Sequence, residues 1–438
     1  MRPSIGIRRE DKNRWERRAP LTPADVRGLV GAQGIDVFVQ PSPIRTFSDL
    51  EYAKAGAHIA EDLGGCSVVF GVKEMPEEFF TQGVTYLFFT HTHKGQAQNM
   101  AMLRALMARG CQLIDYERIV DDQGRRLLFF GEYAGLAGMI DALWALGRRL
   151  HWEGHDTPLS SVKMAHEYGN LDEAMSEIRA IGEHIALVGL PSALAPLVVG
   201  VAGYGHVSQG AQQILDLLPT REITPAELLA SSSTHLTDAN RVIKVVFKEE
   251  HTVAPRSDGA SFDLQEFYAK PELYRSRFAE YLPHLTMLVN AIYWDERYPR
   301  LVTKADARRL YEQEEAPVLR VIADISCDIE GAIECTVRAT DPDSPVYVYD
   351  PVADGDREGW EGRGPVVVAV DNLPCELPRE ASEYFSNVLV PYVRPMAVAD
   401  YSQEFAQCDL PPAVRRGVIL YQGSLTQSYS FMEQFLKR

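Results

Sequence analysis

The first third of the chain alternates short, nearly uninterrupted apolar runs with stretches of helical character. SIGIR (4–8), DVFVQ (36–40), CSVVFGVK (66–73), TYLFFTHT (85–92) and CQLIDYE (111–117) read as strands, the third and fourth apolar until their last residues. TPADVRGLVGAQG (22–34) starts on Thr-Pro and stops on Gly, the punctuation of a helix. Apolar strands separated by helices predict a parallel sheet covered on both faces. Ligands of such sheets sit beyond the carboxyl ends of the strands. Lys73 and His91 both fall at such ends.

GEYAGLAGMIDALWALGRRLHWEG (131–154) reads as one long apolar helix joining a first domain to a second, and a less regular region runs on to about residue 195. PLVVGVAGYGHVSQGAQQILDLL (196–218) then predicts strand, tight glycine turn and helix. Its motif is Gly203-x-Gly205-x-x-Ser208, followed by Gly210. Gly203 allows the turn, Gly205 lets the backbone approach a pyrophosphate, and the helix start supplies free N–H groups and a positive dipole end. A carboxylate for the ribose of NAD is expected about 20 residues further on. The stretch there is TREITPAEL (220–228), with Arg221 and no acid clearly ending a strand, which leans towards NADP over NAD.

Later strands are expected at 285–294, 318–328 and 366–374, a polar helix at 303–315, an exposed Gly/Asp-rich loop at 350–365 and a helix at 377–393. The whole predicts an α/β protein with mostly parallel sheets.

Composition narrows the function classes. The 438 residues carry 44 Lys+Arg against 61 Asp+Glu, a net charge of −17. Such a chain repels polyanions, so no nucleic-acid partner is expected, and an acidic substrate needs a local basic pocket. The six cysteines are scattered without CxxC spacing, as expected of reduced thiols. The charged start, MRPSIGIRREDKN, has no apolar signal core, and no apolar run approaches the roughly 18 residues of a membrane span. Cytoplasmic location and small-molecule partners are the resulting expectations; the oligomeric state stays open.

FFTHTHKGQ (88–96) concentrates candidate chemistry. It fits a metal site, a proton-handling site or a solvated strand end. His91 and His93 share a strand face, but zinc needs three or four ligands and no Cys/His partner lies at motif spacing, so no metal is expected.

RREDKNRWERRAPLTP (8–23), GVKEMPEE (71–78), FFTHTHKGQ (88–96), GRRLLFFGEYAGLAGM (124–139) and LPREASEYF (377–385) occur in this order. Together they resemble the lysine–2-oxoglutarate reductase domain of the bifunctional lysine-degrading enzyme and the fungal lysine-forming saccharopine dehydrogenase. The alanine dehydrogenase and transhydrogenase family is a more distant resemblance. The resemblance implies two Rossmann-like domains with an active-site cleft between them. Residues 1–135 plus 371–438 would form the substrate domain, and residues 136–370 the dinucleotide-binding domain. It implies reductive condensation of lysine and 2-oxoglutarate to saccharopine, with NADPH favoured over NAD as cofactor.

By the same resemblance Lys73 and His91 are the acid/base pair, and Arg18, Gln96, Arg126 and Phe130 contact substrate. Arg125, Gly203, Gly205, His206, Val207, Ser208 and Asp328 would serve the cofactor. The LPREASEYF helix is expected to pack rather than to enter the site. With 438 residues the chain is expected to be a stand-alone reductase, without the second dehydrogenase of the bifunctional enzyme. The alternatives are an NAD-dependent saccharopine dehydrogenase running towards lysine, another opine-type or amino-acid dehydrogenase, and a nucleotide-sensing protein on the same fold.

Overall fold

The structure, a computed structural model, describes residues 2–230, 238–313 and 317–437. The chain divides into two compact units, one of residues Met1–Phe130 and Pro378–Arg438, the other of Gly131–Leu377.

The first unit is built on an eight-stranded sheet. Its order is Ser424–Leu425, Val418–Tyr421, Gln112–Asp115, Thr85–Phe88, Val68–Phe70, Ser4–Ile7, Asp36–Val39 and His58–Ile59. The six N-terminal strands run parallel, and the two C-terminal strands add an antiparallel edge. The three central strands are almost wholly buried, which is why they read as continuous apolar runs. The predicted first helix spans Pro23–Gly31, capped by the Thr22 side chain on the Asp25 N–H. Helix Pro378–Val398 runs on through Pro391 and Pro395 and buries Phe385 and Leu389. Its Ser382 and Ser386 hydroxyls accept the Ala19 and Thr22 N–H groups, which anchors the segment containing Arg18.

The second unit holds another eight-stranded sheet, with strands Leu197–Ala202, Met287–Asn290, Val321–Asp324 and Val366–Val368 parallel at its centre. Helix Gly131–Trp152 covers one face and is buried along most of its length. It crosses helix His206–Leu215 at glycine contacts. A Cβ on Gly135 would lie 1.9 Å from the Val207 carbonyl, and one on Gly210 would lie 2.1 Å from the Glu132 carbonyl.

Three expectations need correction. The region before residue 195 contains a regular 18-residue helix, Leu171–Val188, capped by Asn170. The supposed loop at 350–365 contains strand Gly355–Glu358, paired antiparallel with Val346–Asp350. All four of its residues are exposed, so it has no apolar signal. The strand beside the glycine-turn strand is Val242–Phe247, in register from Leu197↔Val242 to Ala202↔Phe247, and Thr220–Ile223 is the sheet edge beyond it. The polar helix appears as Lys304–Gln313; residues 314 and 315 of the predicted 303–315 lie outside the described residues. No helix among the described residues is long and apolar enough to cross a membrane.

Candidate active site

In the first unit the ends of two neighbouring parallel strands gather charged groups. Past Val68–Phe70 the chain delivers Lys73 and Glu74; past Thr85–Phe88 it delivers His91. His91 adopts a left-handed backbone, φ 48°, and its Nδ1 lies 2.6 Å from Glu74 Oε1. Glu74 Oε2 also accepts from Lys12 Nζ at 2.9 Å. Burial by itself would raise the Glu74 carboxyl, but the His91 and Lys12 hydrogen bonds outweigh it and hold the pKa at about 2.

Lys73 is half-buried. Burial pulls its pKa below the ordinary lysine value, and the Arg18 charge pulls the same way against Glu16 and Glu74. Its own N–H and that of Val72 donate to Glu10, at 3.0 and 2.7 Å. Burial and the Glu16 charge push the Glu10 carboxyl up to about 7.

Arg18 is buried and bound in a two-point fork to Glu16, Nε–Oε1 2.8 Å and Nη2–Oε2 2.6 Å. Its guanidinium lies 4.3 Å from the Phe130 ring centroid. Phe130 stacks on Phe385 at 4.7 Å, and Phe89 packs against both at 5.8 Å. The helix expected only to pack thus completes the aromatic wall behind Arg18.

Other predicted residues lie around this core. Gln96 is exposed at the start of helix Ala97–Ala108, with its Oε1 accepting from Asn99. Arg126 pairs with Glu117 at 3.0 Å and lies 5.6 Å from the Phe89 centroid. Arg125 sits on an exposed turn, bound to Asp121 at 2.7 Å.

In the second unit the Leu197–Ala202 strand leads into the glycine turn. Gly203 has φ 103°, and a Cβ there would meet the Ala291 carbonyl at 2.7 Å. Gly205 is the N-cap residue of helix His206–Leu215, and a Cβ there would meet nothing within 4 Å. His206 and Val207 are therefore in the first helical turn rather than the loop. Ser208, in the third motif position, is buried and donates to the Gly203 carbonyl at 2.7 Å, closing the turn from inside. Close helix packing, the usual task of a third glycine, falls to Gly210. Asp328 is exposed in the loop after strand Val321–Asp324.

The turn borders a cavity of about 320 Å³ that is also lined by Lys248, Glu249, Tyr268 and Arg300. Glu249 Oε1 accepts the Tyr268 hydroxyl at 2.6 Å and the Tyr204 hydroxyl at 3.4 Å. An acidic residue therefore does follow the strand beside the glycine turn. It lies more than 40 residues past the motif because Thr220–Ile223 and helix Pro225–Ala230 intervene. Thr220–Ile223 is not the neighbour of the glycine-turn strand, so the lack of an acid clearly ending it does not bear on NADP against NAD. A turn with no room for a Cβ at Gly203, a helix start and an adjoining cavity at the strand ends fit a dinucleotide.

Comparison with known families agrees with this architecture. The N-terminal domain model of alanine dehydrogenase/PNT matches residues 6–137, and the C-terminal domain model of alanine dehydrogenase/PNT matches residues 265–428. The chain belongs to the alanine dehydrogenase/PNT family. Within it, alpha-aminoadipic semialdehyde synthase of Rattus norvegicus, named mitochondrial, is 38% identical over 99% of this chain and 48% of that protein. The synthase of Arabidopsis thaliana is 36% identical over 99% of this chain and 41% of its own length. The chain spans about half the length, or less, of these curated relatives. The NAD(+), L-lysine-forming saccharopine dehydrogenase of Emericella nidulans is 28% identical over 88% of this chain and 90% of that enzyme. Among solved structures, an L-alanine dehydrogenase superposes with a TM-score of 0.62 at 20% identity over 99% of both chains, which shows the alanine dehydrogenase fold.

Sequence reasoning about this family member missed Glu10, Glu16 and Glu74. Glu16 stands two residues from Arg18 and Glu74 is next to Lys73, so their nearness was readable, but their pairing was not. It also missed the grouping of His93, Asp115 and Glu117, whose potential ligand atoms lie within 4.8 Å of one another. The two histidines of FTHTH do not act together: His91 turns to Glu74, while His93 Nδ1 lies 3.5 Å from Glu117. Asp115, pushed up to about 6 by burial, already accepts from Thr90, and Glu117 already pairs with Arg126.

Proposed function

We propose that the chain is a lysine–2-oxoglutarate reductase. It joins the ε-amine of L-lysine to the keto carbon of 2-oxoglutarate, expels water and reduces the imine to saccharopine. The observation that carries this reading is a half-buried lysine of lowered pKa beside a carboxylate-held histidine and a buried arginine. Condensing an amine with a ketone needs proton transfers near neutral pH, and Lys73 and His91 are the groups suited to them. Glu74 fixes the His91 ring through Nδ1, leaving Nε2 to exchange protons with the substrate. Arg18, oriented by Glu16 and Phe130, binds a substrate carboxylate, and Gln96 and Arg126 contact the same substrates. The identity to the rat and plant synthases supports this choice of substrates.

In this reading residues 1–135 with 371–438 are the substrate domain, and residues 136–370 bind the cofactor. A bound nicotinamide supplies the hydride. Gly203, Gly205, His206, Val207 and Ser208 would cradle the cofactor's diphosphate, Asp328 would hold its nicotinamide ribose, and Arg125 would serve the same cofactor. We favour NADPH: Lys248 and Arg300 line the cavity, and Glu249 is engaged by two tyrosine hydroxyls. A cytoplasmic location belongs to this reading, and cell fractionation decides between it and the mitochondrion named for the rat relative.

A second reading is an NAD-dependent saccharopine dehydrogenase running towards lysine. The match to nearly the full length of the fungal enzyme favours it. Incubation with isotopically labelled lysine, 2-oxoglutarate and NADPH should yield labelled saccharopine. Turnover confined to saccharopine with NAD would favour the second reading.

A further inference from the structure

The second unit contains an arginine-lined cavity of about 370 Å³ that the proposed reaction does not use. It lies where the loop into strand Val321–Asp324 begins, at the amino ends of the parallel strands. The glycine turn leaves the opposite, carboxyl ends, at least roughly 13 Å of strand away at about 3.3 Å per residue. Arg149, Arg320 and Arg363 line the cavity together with Trp152 and Tyr311, and among the described residues Glu153 is the one acid in its lining. In a chain of net charge −17, the described lining of this cavity sets three guanidinium groups against one carboxylate.

Their hydrogen bonds leave donors to spare. Arg149 gives Nε to Glu153 Oε1 at 2.7 Å and Nη1 to the Trp360 carbonyl at 3.0 Å. Arg320 gives Nε to Glu153 Oε2 at 2.7 Å and Nη1 to the Val318 carbonyl at 3.0 Å. Arg363 gives Nη2 to the Tyr311 carbonyl at 2.7 Å. Among the described residues, Nη2 of Arg149, Nη2 of Arg320, and Nε and Nη1 of Arg363 make no hydrogen bond, and Arg149 is only 7% exposed.

The loop bearing Arg363 has a backbone only glycine adopts freely. Gly362 has φ 120° and Gly364 φ 123°, and a Cβ on Gly364 would lie 1.9 Å from the Tyr349 carbonyl. Fixed guanidinium groups with unused N–H donors are the chemistry that grips an oxyanion at two points. The volume is that of a small-molecule pocket.

We propose that this cavity binds a small, doubly charged oxyanion, either a dicarboxylate or a phosphate-bearing metabolite. Glu153 holds Arg149 and Arg320 in place, the Tyr311 carbonyl holds Arg363 on the glycine loop, and their remaining N–H groups take the ligand.

The test is isothermal titration of the full chain with succinate and, separately, with inorganic phosphate, against sodium chloride at matched ionic strength. One saturable event is expected with at least one of the two anions, and the responding arm tells carboxylate from phosphate chemistry. Arg320→Gln and Arg363→Gln should each weaken that event about tenfold, the loss of one charge-assisted contact. Arg18→Ala, in the other unit, should leave it unchanged. Arg363 is exposed, so its variant keeps the fold, checked by circular dichroism. Absence of saturable heat with both anions would overturn the proposal. So would binding that both arginine variants retain, which means an adventitious ion only, or binding that Arg18→Ala abolishes, which belongs to the substrate site of the other unit.

Discussion

Glu74 Oε1 lies 2.6 Å from His91 Nδ1, and the two residues leave neighbouring parallel strands, Val68–Phe70 and Thr85–Phe88. The sheet register therefore sets which imidazole nitrogen is held and which stays available. A carboxylate on one ring nitrogen selects the tautomer and steadies the ring. In the proposed reaction Glu74 is a positioning residue: it acts through His91.

Glu74→Gln should lower turnover on the order of 10-fold to 100-fold, less than removal of His91, because a neutral amide still holds the ring. It should also change acid stability. The folded carboxyl sits at about 2, below its ordinary 4.5. Its contribution is thus present above pH 4.5 and lost as pH falls towards 2. Urea unfolding at a series of pH values should show a shallower acid-side loss in Glu74→Gln than in the native chain.

Arg18→Lys keeps the charge and removes the fork that Glu16 now holds at two points. The expected result is a Michaelis constant for 2-oxoglutarate raised about tenfold or more, with a smaller change in kcat, the pattern of lost ground-state binding. An unchanged constant would take Arg18 out of substrate binding.

Lys248 and Glu249 should set cofactor choice from opposite sides. Lys248→Ala should raise the Michaelis constant for NADPH about tenfold, one charge-assisted hydrogen bond, with little effect on NADH. Glu249→Ala should remove a carboxylate that repels a 2′-phosphate and shift preference further to NADPH. Steady-state kinetics with both cofactors measures the two ratios.

Gly210→Ala puts a methyl group against the Glu132 carbonyl, with no flexible side chain to give way. The expected cost is about 1–3 kcal/mol, the usual price of overpacking. Gly205→Ala, where a Cβ meets nothing in the structure, should be near-neutral for folding and weaken cofactor binding. Thermal unfolding with and without NADPH separates the two effects.

The buried strands and the glycine turn were legible because full burial leaves an unbroken apolar run, and a helix start after glycine leaves a fixed spacing. The Gly355–Glu358 strand was not, since every side chain is exposed and only backbone pairing defines it. The neighbour of the glycine-turn strand is not legible from spacing, for a topological reason. An edge strand and a helix come between them in sequence but not in space, so the usual spacing pointed to Thr220–Ile223 instead of Val242–Phe247. In the site, Lys73, His91 and Arg18 could be singled out because each stands at a strand end or in a recognisable motif. The carboxylates that hold them could not. Glu16, Glu74 and Glu10 look like members of solvated charge runs until the fold buries them against Arg18, His91 and the Val72–Lys73 backbone.

The account rests on Lys73 and His91 handling the protons of an amine–ketone condensation. The most direct measurement is NADPH oxidation by the native chain and by Lys73→Met and His91→Gln, with lysine, 2-oxoglutarate, or both. The predicted result is oxidation only when both substrates are present, falling on the order of 100-fold or more in each variant. Equal rates in the variants, or faster oxidation with pyruvate and ammonia than with lysine and 2-oxoglutarate, would contradict it.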